Sequence, residues 1–110
     1  MSNYFPDKWL IVKLTTNDKS HYRVFASWYG GYGGSDSWQL NSGITNVVDT
    51  DGCYHFIGSS GSIYICNKST YGISSYANGV LRRLISNALE QNTIIEILPN
   101  ETNILELNYE

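Results

Sequence analysis

The residues best suited to recognition chemistry lie together in one glycine- and aromatic-rich stretch, Ser27 to Trp38 (SWYGGYGGSDSW). It contains two Trp, two Tyr, four Gly and one Asp, and it follows neither a helical nor a strand periodicity. Tyr and Trp rings offer large surfaces to planar ligands, and glycines allow the backbone to approach a ligand closely. Asp36 adds a carboxylate that can accept hydrogen bonds from a ligand. We therefore predict a recognition loop carried by a folded scaffold.

The candidate ligand-binding residues are the aromatic rings of this loop, its carboxylate and a pair of arginines farther along the chain. Arg82 and Arg83 form the only basic cluster and would neutralise a phosphate if their helix flanks the loop. Three interpretations of the loop stay open: it holds a small planar ligand, it anchors a protein partner, or it covers the core of its own domain. The candidate set is Trp28, Tyr29, Tyr32, Asp36, Trp38, Arg82 and Arg83.

Known phosphate-binding loops do not account for these glycines. No Lys-Ser or Lys-Thr follows them, as the chemistry of a Walker loop requires. A dinucleotide-binding turn needs a helix directly after it, and the stretch that follows this loop has no helical periodicity. A second glycine-serine run, Gly58 to Ser62, has no adjacent Lys or Arg, so we interpret it as a hairpin turn rather than an anion site.

The cysteines and histidines give no coherent catalytic or metal-binding pattern. Cys53 and His55 lie two residues apart on a predicted strand, about 6.5 Å, which is too far for a hydrogen bond between nucleophile and base. The order His21, Cys53, His55, Cys66 matches no compact zinc pattern. We therefore predict that the protein is not an enzyme and uses neither a metal nor another cofactor.

Composition narrows the class of partner. The chain has 110 residues, which fits a single domain over residues 1–110. Its net charge is −3 with only seven Lys and Arg, so nucleic acid is a disfavoured partner. It has neither an apolar run of about 18 residues nor a charged-then-apolar leader, so we expect no membrane span and a cytoplasmic location. In a reducing cytoplasm, Cys53 and Cys66 are expected to be free thiols.

One amphipathic helix is predicted between Ser74 or Ser75, which can cap its first turn, and about Gln91. Asn92 is a suitable terminator. The apolar residues recur at the i, i+3, i+4, i+7 spacing that places them on one helical face. They are Ala77, Val80, Leu81, Leu84, Ile85, Ala88 and Leu89.

Alternating and β-branched segments predict strands on both sides of this helix. The predicted strands span residues 9–15, 21–28, 44–49, 52–57, 62–66, 93–98 and 103–109, with a short or irregular strand near 38–44. The first two strands form a hairpin, and the last two form a terminal hairpin. The expected fold is α+β, an antiparallel sheet of about six to seven strands with one amphipathic helix packed on one face. The free edge of such a sheet makes a homo-oligomer possible.

Two of these hairpins carry explicit core assignments. A turn around residues 58–61 pairs Cys53 with Cys66, about 4.5–5.5 Å apart between Cβ atoms. That register directs four side chains to the core, Tyr54, Phe56, Ile63 and Ile65. In the terminal hairpin the inward residues are expected to be Ile95, Ile97, Leu105 and Leu107.

Two functions fit these observations. The first is a small non-enzymatic binding protein whose loop holds, and thereby sequesters, a small planar ligand that is nucleotide-like or sugar-like. The alternative is a protein–protein interaction module, such as a phage or mobile-element inhibitor of a host defence enzyme or complex. Abundant Asn, Ile and Tyr with little Ala fits an AT-rich genome, which agrees with a phage accessory protein.

Overall fold

The computed structural model describes residues 2–31 and 33–109 and builds from them two four-stranded sheets and one α-helix. The α+β class is confirmed, whereas the expected single sheet is replaced by two. The central sheet has the order β4-β3-β2-β8, and the outer sheet has the order β1-β7-β6-β5. The elements are β1 (Asn3–Tyr4), β2 (Lys8–Thr16), β3 (Lys19–Trp28), β4 (Ser37–Leu40), β5 (Ile44–Asp49), β6 (Cys53–Gly58), β7 (Ile63–Asn67), α1 (Ser75–Glu90) and β8 (Thr93–Ile97).

The central sheet is covered on both faces, so the structure has three layers: α1, the central sheet and the outer sheet. Strand β2 shows why, because its sequence is almost continuously apolar and its side chains alternate between the two faces. Trp9 and Ile11 face the outer sheet, whereas Leu10 and Val12 face α1. All four side chains are at most 5% exposed. A single sheet with one helix would have left one of these faces in water.

Strands β2 and β3 form the predicted hairpin through a turn of two residues. Asn17 and Asp18 both have positive φ, at 52° and 65°. A type I′ turn requires this conformation at both central residues, and Asn and Asp tolerate it well. The turn aligns Thr16 with Lys19 and keeps the register unbroken to the pair Lys8 and Ser27. The hairpin therefore provides the long frame on which the other central strands pair.

Helix α1 confirms the prediction in its bounds and in most of its apolar face, but Leu89, predicted to lie on that face, is 58% exposed. The Ser74 side chain caps the first turn by accepting a hydrogen bond from the Ala77 amide at 3.2 Å. Asn92 follows the helix with φ of 60°, the left-handed conformation that ends many helices. The buried residues of the helix pack against β2 and β3. They are Ala77, Val80 and Leu81.

The meander of β5, β6 and β7 is confirmed, but the register between β6 and β7 differs by one residue from the prediction. The turn contains three residues, Ser59 to Gly61, rather than two or four. It is closed by a hydrogen bond from the Gly58 amide to the Ser62 carbonyl at 2.9 Å, and Gly61 adopts φ of 91°. A loop with an odd number of residues shifts the pairing by one position. Tyr54 is therefore paired with Cys66.

This shift moves every β7 side chain to the opposite face from the one predicted. Tyr64 and Cys66 are buried between the sheets, at 2% and 0% exposure, whereas Ile63 and Ile65 lie on the outer surface of the outer sheet. Cys53 pairs with Asn67 rather than with Cys66. The predicted opposition of the two cysteines is wrong, and both thiols are free.

The prediction of a terminal hairpin is also wrong in its second half. Strand β8 pairs with β2 and directs Ile95 and Ile97 toward α1 as predicted. After it, Pro99 accepts a hydrogen bond from the Thr102 amide, and this turn leads into a 3₁₀ turn at Ile104–Glu106 instead of a strand. Ile104 is buried in the core between the sheets, because that core is open at this end.

The last described residues keep this segment in place. The Tyr109 hydroxyl donates to the Ile104 carbonyl at 2.7 Å, and its ring meets Tyr22 edge-on at 5.7 Å. Leu107 packs on the same core, whereas Leu105 is 51% exposed. The prediction that Leu105 points inward is therefore wrong.

The separated cysteines predict different thiol reactivities. We expect a thiol reagent to label Cys53 in the folded protein and to reach Cys66 only on unfolding, because burial raises the pKa of the Cys66 thiol. The measurement is the labelled mass with and without denaturant. A Cys53→Ser variant should remain unlabelled when folded. After mild oxidation, an intact mass lighter by two hydrogen atoms would indicate a disulfide within the chain and would contradict the register.

The buried Tyr64 hydroxyl predicts that the stability of the fold decreases at alkaline pH. Burial raises the pKa of Tyr64 to about 12, and the neighbouring Tyr4 and Cys66 add to this effect. Because this folded pKa lies above the unfolded value of about 10, the neutral Tyr64 side chain contributes fully to stability below about pH 10. That contribution is lost as the pH rises toward 12. We expect the free energy of unfolding by urea to fall over this window, and to fall less steeply in Tyr64→Phe. Equal slopes for both proteins would contradict this assignment.

Candidate ligand-binding groove

The predicted recognition loop connects β3 to β4 as a closed hairpin loop. Asp36 accepts a hydrogen bond from the Gly30 amide at 2.9 Å, so its carboxylate fastens the two ends of the loop together. The Tyr29 amide donates to the Asp7 carboxylate at 2.8 Å, which ties the loop to the segment before β2. Asp36 therefore has a structural partner already, and its role in the loop is closure.

The glycines of the loop serve this closure as well. A Cβ atom added to Gly30 would overlap the backbone of Gly34 and Ser35, and one added to Gly34 would overlap the carbonyl of Gly30. The two sides of the loop therefore touch backbone to backbone. Only glycine fits at both positions, and the reason is the contact within the loop.

The two tryptophans that border the loop lie on opposite faces of the central sheet. Trp28 faces the outer sheet, where its ring lies 6.3 Å from that of Tyr4 and its indole N–H donates to the Phe5 carbonyl at 2.9 Å. Trp38 lies on the side of α1, stacked on Phe25 with ring centroids 5.7 Å apart and planes 19° apart. The sheet separates these rings, so they cannot enclose one ligand together.

A groove of about 330 Å³ lies between Trp38 and one side of α1. The helical residues recur every three or four positions, so they form a single stripe facing Trp38. Trp38 and Tyr76 are 38% and 42% exposed, which leaves ring surface open to the groove. The volume falls at the lower end of the range for small-molecule sites. The lining residues are Trp38, Tyr76, Val80, Arg83, Leu84 and Asn87.

The groove combines three kinds of interaction. Trp38 and Tyr76 supply aromatic surface, Arg83 supplies the only charge among the lining residues, and Asn87 supplies an amide that can both donate and accept. Within the described part of the chain, the only ion pair joins Lys68 to Asp49, so Arg83 has no carboxylate partner there. Its guanidinium is available to an anionic group.

The structure places two of the predicted residues, Trp38 and Arg83, in this groove. Arg82 is exposed on α1 but does not line it, and Tyr32 lies outside the described residues. Sequence reasoning missed Tyr76 and Asn87. The signal was present, since positions 76, 80, 83, 84 and 87 share one helical stripe, but nothing in the sequence indicated which strand this stripe would face.

A second cavity, of about 90 Å³, lies where the segment after β8 crosses Trp9 and Tyr71. Lys68 lies at its wall, but its ammonium group is paired with Asp49 at 2.5 Å and lies 4.8 Å from the centre of the Tyr54 ring. The cavity is small and its cation is engaged in the fold. The larger groove is therefore the better candidate site.

The histidines and cysteines are dispersed in the structure. Across residues 2–31 and 33–109, no three side chains of His, Cys, Asp or Glu come together as metal ligands would. Cys53 and His55 lie on the outer surface of the outer sheet. His21 accepts a hydrogen bond from Arg23 at 2.9 Å, and its pKa is lowered by partial burial and by that guanidinium.

Comparison with known proteins finds no family model that matches the chain, and no significant match among curated proteins or solved structures. In the described parts of the chain, no helix is both long enough and apolar enough to cross a membrane.

The loop predicts a contrast between two glycine substitutions. Gly30→Ala should destabilise the protein by about 1–3 kcal/mol, because its methyl group has to displace backbone. Gly79→Ala, in α1 with open space around the position, should stabilise by up to about 1 kcal/mol. Urea unfolding of both variants measures the difference. Equal stability of Gly30→Ala and the parent protein would show that the loop is open rather than closed.

Proposed function

We propose that this protein is a non-enzymatic binding protein that holds a small, planar, anionic ligand of the nucleotide class in the groove between α1 and β4. The observation that carries the proposal is the position of Trp38. Its ring is stacked on the buried Phe25, yet 38% of the residue remains exposed beside Arg83. A ring held in this way can accept a second ring with little loss of conformational freedom.

Stacking and charge would act on different parts of the same ligand. Stacking of a base on an aromatic side chain contributes about 1–3 kcal/mol. Arg83 would bind a phosphate or carboxylate, and Asn87 would hydrogen-bond the edge of a base. The arginine favours an anionic nucleotide over a neutral sugar. The lining residues include no carboxylate, imidazole or thiol, which supports binding, and thereby sequestration, rather than catalysis.

Free thiols support a cytoplasmic setting for this function. Cys53 and Cys66 are unpaired and lie on opposite faces of the outer sheet. Because the fold holds these thiols apart, they cannot pair within the chain, and a reducing compartment would keep them from being oxidised.

A second candidate function is a protein–protein interaction module, for example an inhibitor of a host defence enzyme. The observation that favours it is a pair of exposed rings near the loop. Phe5 and Tyr29 are 63% and 52% exposed, and Trp28 and Asp7 fix the backbone on which they stand through hydrogen bonds. Exposed aromatic residues on a fixed backbone are suited to anchoring a protein partner.

The ligand proposal is tested by native mass spectrometry after mixing with a protein-free cell extract, followed by calorimetry with nucleoside monophosphates. We expect Trp38→Ala and Arg83→Gln each to weaken binding by about tenfold or more, because each removes about 1.4 kcal/mol or more. Arg82→Gln is the matched control, since it removes the adjacent charge outside the groove. It should leave binding unchanged.

Two outcomes would contradict the proposal. The first is no added mass from the extract and no heat with any nucleotide. The second is binding that Arg82→Gln weakens as much as Arg83→Gln, which would indicate a diffuse charge effect. Recovery of a stoichiometric host protein that is lost in Tyr29→Ala, with no small ligand, would favour the interaction module instead.

A further inference from the structure

We infer that the free edge of β4 is a dimerisation site, at which a second copy of this chain adds its own β4 in antiparallel orientation. Strand β4 ends the central sheet, and no described strand pairs with its outer side. The inference rests on the backbone of β4, whereas the proposed ligand would engage the Trp38 side chain.

The hydrogen-bonding pattern shows which backbone groups point outward. The Asn41 amide donates to the Val24 carbonyl at 3.0 Å, in the same register that pairs Gln39 with Ala26. Residues of an antiparallel strand direct their amides and carbonyls alternately to one side and the other. Gln39 therefore bonds toward β3. The residues on either side of it, Trp38 and Leu40, direct their amides and carbonyls to the free edge.

This pattern is complementary to itself. A two-fold axis through Gln39 would place Trp38 of one copy opposite Leu40 of the other, and the reverse. Both residues present an outward amide and an outward carbonyl, so the pair of strands would form about four hydrogen bonds with none left over on either strand. Such an isologous arrangement closes on itself and stops at two copies.

The side chains agree with this register. Trp38 and Leu40 lie on the face of the sheet that carries α1, so each exposed Trp38 would pack on the Leu40 of the partner. Gln39 lies on the other face and would meet its own copy across the axis, where two amides can hydrogen-bond. Strand β4 (SWQL) contains no charge and no proline, the residues that usually protect an edge.

The other described sheet ends are less suited to this pairing. Strand β8 also ends the central sheet, but Glu96 lies between its outward residues, Ile95 and Ile97. A two-fold axis through Glu96, the register that uses both outward isoleucines, would oppose two carboxylates. Strand β5 carries a register irregularity between Ile44 and Asn46, and bulges of this kind discourage pairing. Strand β1 has only two residues.

The dimer should be weak. A short pair of strands buries less than the roughly 800 Å² per partner of a standard stable interface. We therefore expect the mass measured by light scattering to rise from monomer to dimer as the protein concentration increases.

The decisive experiment combines crosslinking with backbone substitution. In a Cys53→Ser background, Gln39→Cys should form an intermolecular disulfide under mild oxidation, because directly opposed residues of a non-hydrogen-bonded pair have close Cβ atoms. Ser86→Cys, on the exposed face of α1, is the matched control for random collision. Crosslinking of Gln39→Cys no faster than that of Ser86→Cys would overturn the inference.

A proline tests the backbone directly. Trp38→Pro removes an outward amide that β3 does not use, and proline is tolerated at such an edge position. It should weaken the dimer by at least about tenfold, since one amide is lost from each half of the interface. Trp38→Thr removes the ring but keeps the amide, so it should dimerise better than Trp38→Pro while losing the proposed ligand. A dimer that survives Trp38→Pro unchanged, or a parent protein that stays monomeric at every concentration, would overturn the inference.

Discussion

The indole of Trp9 is the contact on which the arrangement of the two sheets depends. It comes from the central sheet, and its N–H donates to the Asn67 carbonyl at the end of the outer sheet at 2.8 Å. Its ring contacts Tyr71 edge-on at 4.8 Å, Phe56 at 5.4 Å and Tyr54 at 6.2 Å. The side chain is 1% exposed. Because one residue combines a directional bond with packing on three rings, the sheets are held in one relative position rather than merely pressed together.

The strand that borders the groove depends on a second buried contact. Asn41 follows β4, and its side-chain oxygen accepts a hydrogen bond from the Val24 amide at 2.8 Å, while its backbone N–H donates to the Val24 carbonyl at 3.0 Å. These two hydrogen bonds to β3 hold the register of β4 at the point where the chain leaves the central sheet for the outer one. At the other end the closed glycine loop holds the first residue of β4. Trp38 therefore stands on a strand fixed at both ends, although the strand itself is short and lies at an edge.

What could be predicted from the sequence followed from local rules. The capped helix from Ser74 to Asn92 and the hairpin of β2 and β3 were predictable because periodicity and turn residues act over a few positions. The register after Gly61 was not predictable, because the sequence from Gly58 to Ser62 is compatible with a loop of two, three or four residues. Only the backbone conformation of the turn decides among these lengths. The near-continuous apolar run of β2 is typical of a strand covered on both faces, but the run does not show which segments cover the second face, so the second sheet was missed. The groove was partly predicted: Trp38 and Arg83 were both candidate residues, but Tyr76 and Asn87 join them only through the tertiary packing of α1 against β4.

Trp38 would take part in two kinds of recognition, one through its side chain and the other through its backbone. The Trp38 side chain faces α1 and Arg83, whereas its amide and carbonyl face the free edge of the sheet. A ligand in the groove would engage the ring, and a second chain would engage the backbone. Because Phe25 supports the ring from within the core, changes at the edge need not move it. Pairing would, however, place the Leu40 of a second chain beside the outer side of the ring. An apolar neighbour there would exclude water from the groove and strengthen the attraction of Arg83 for an anion.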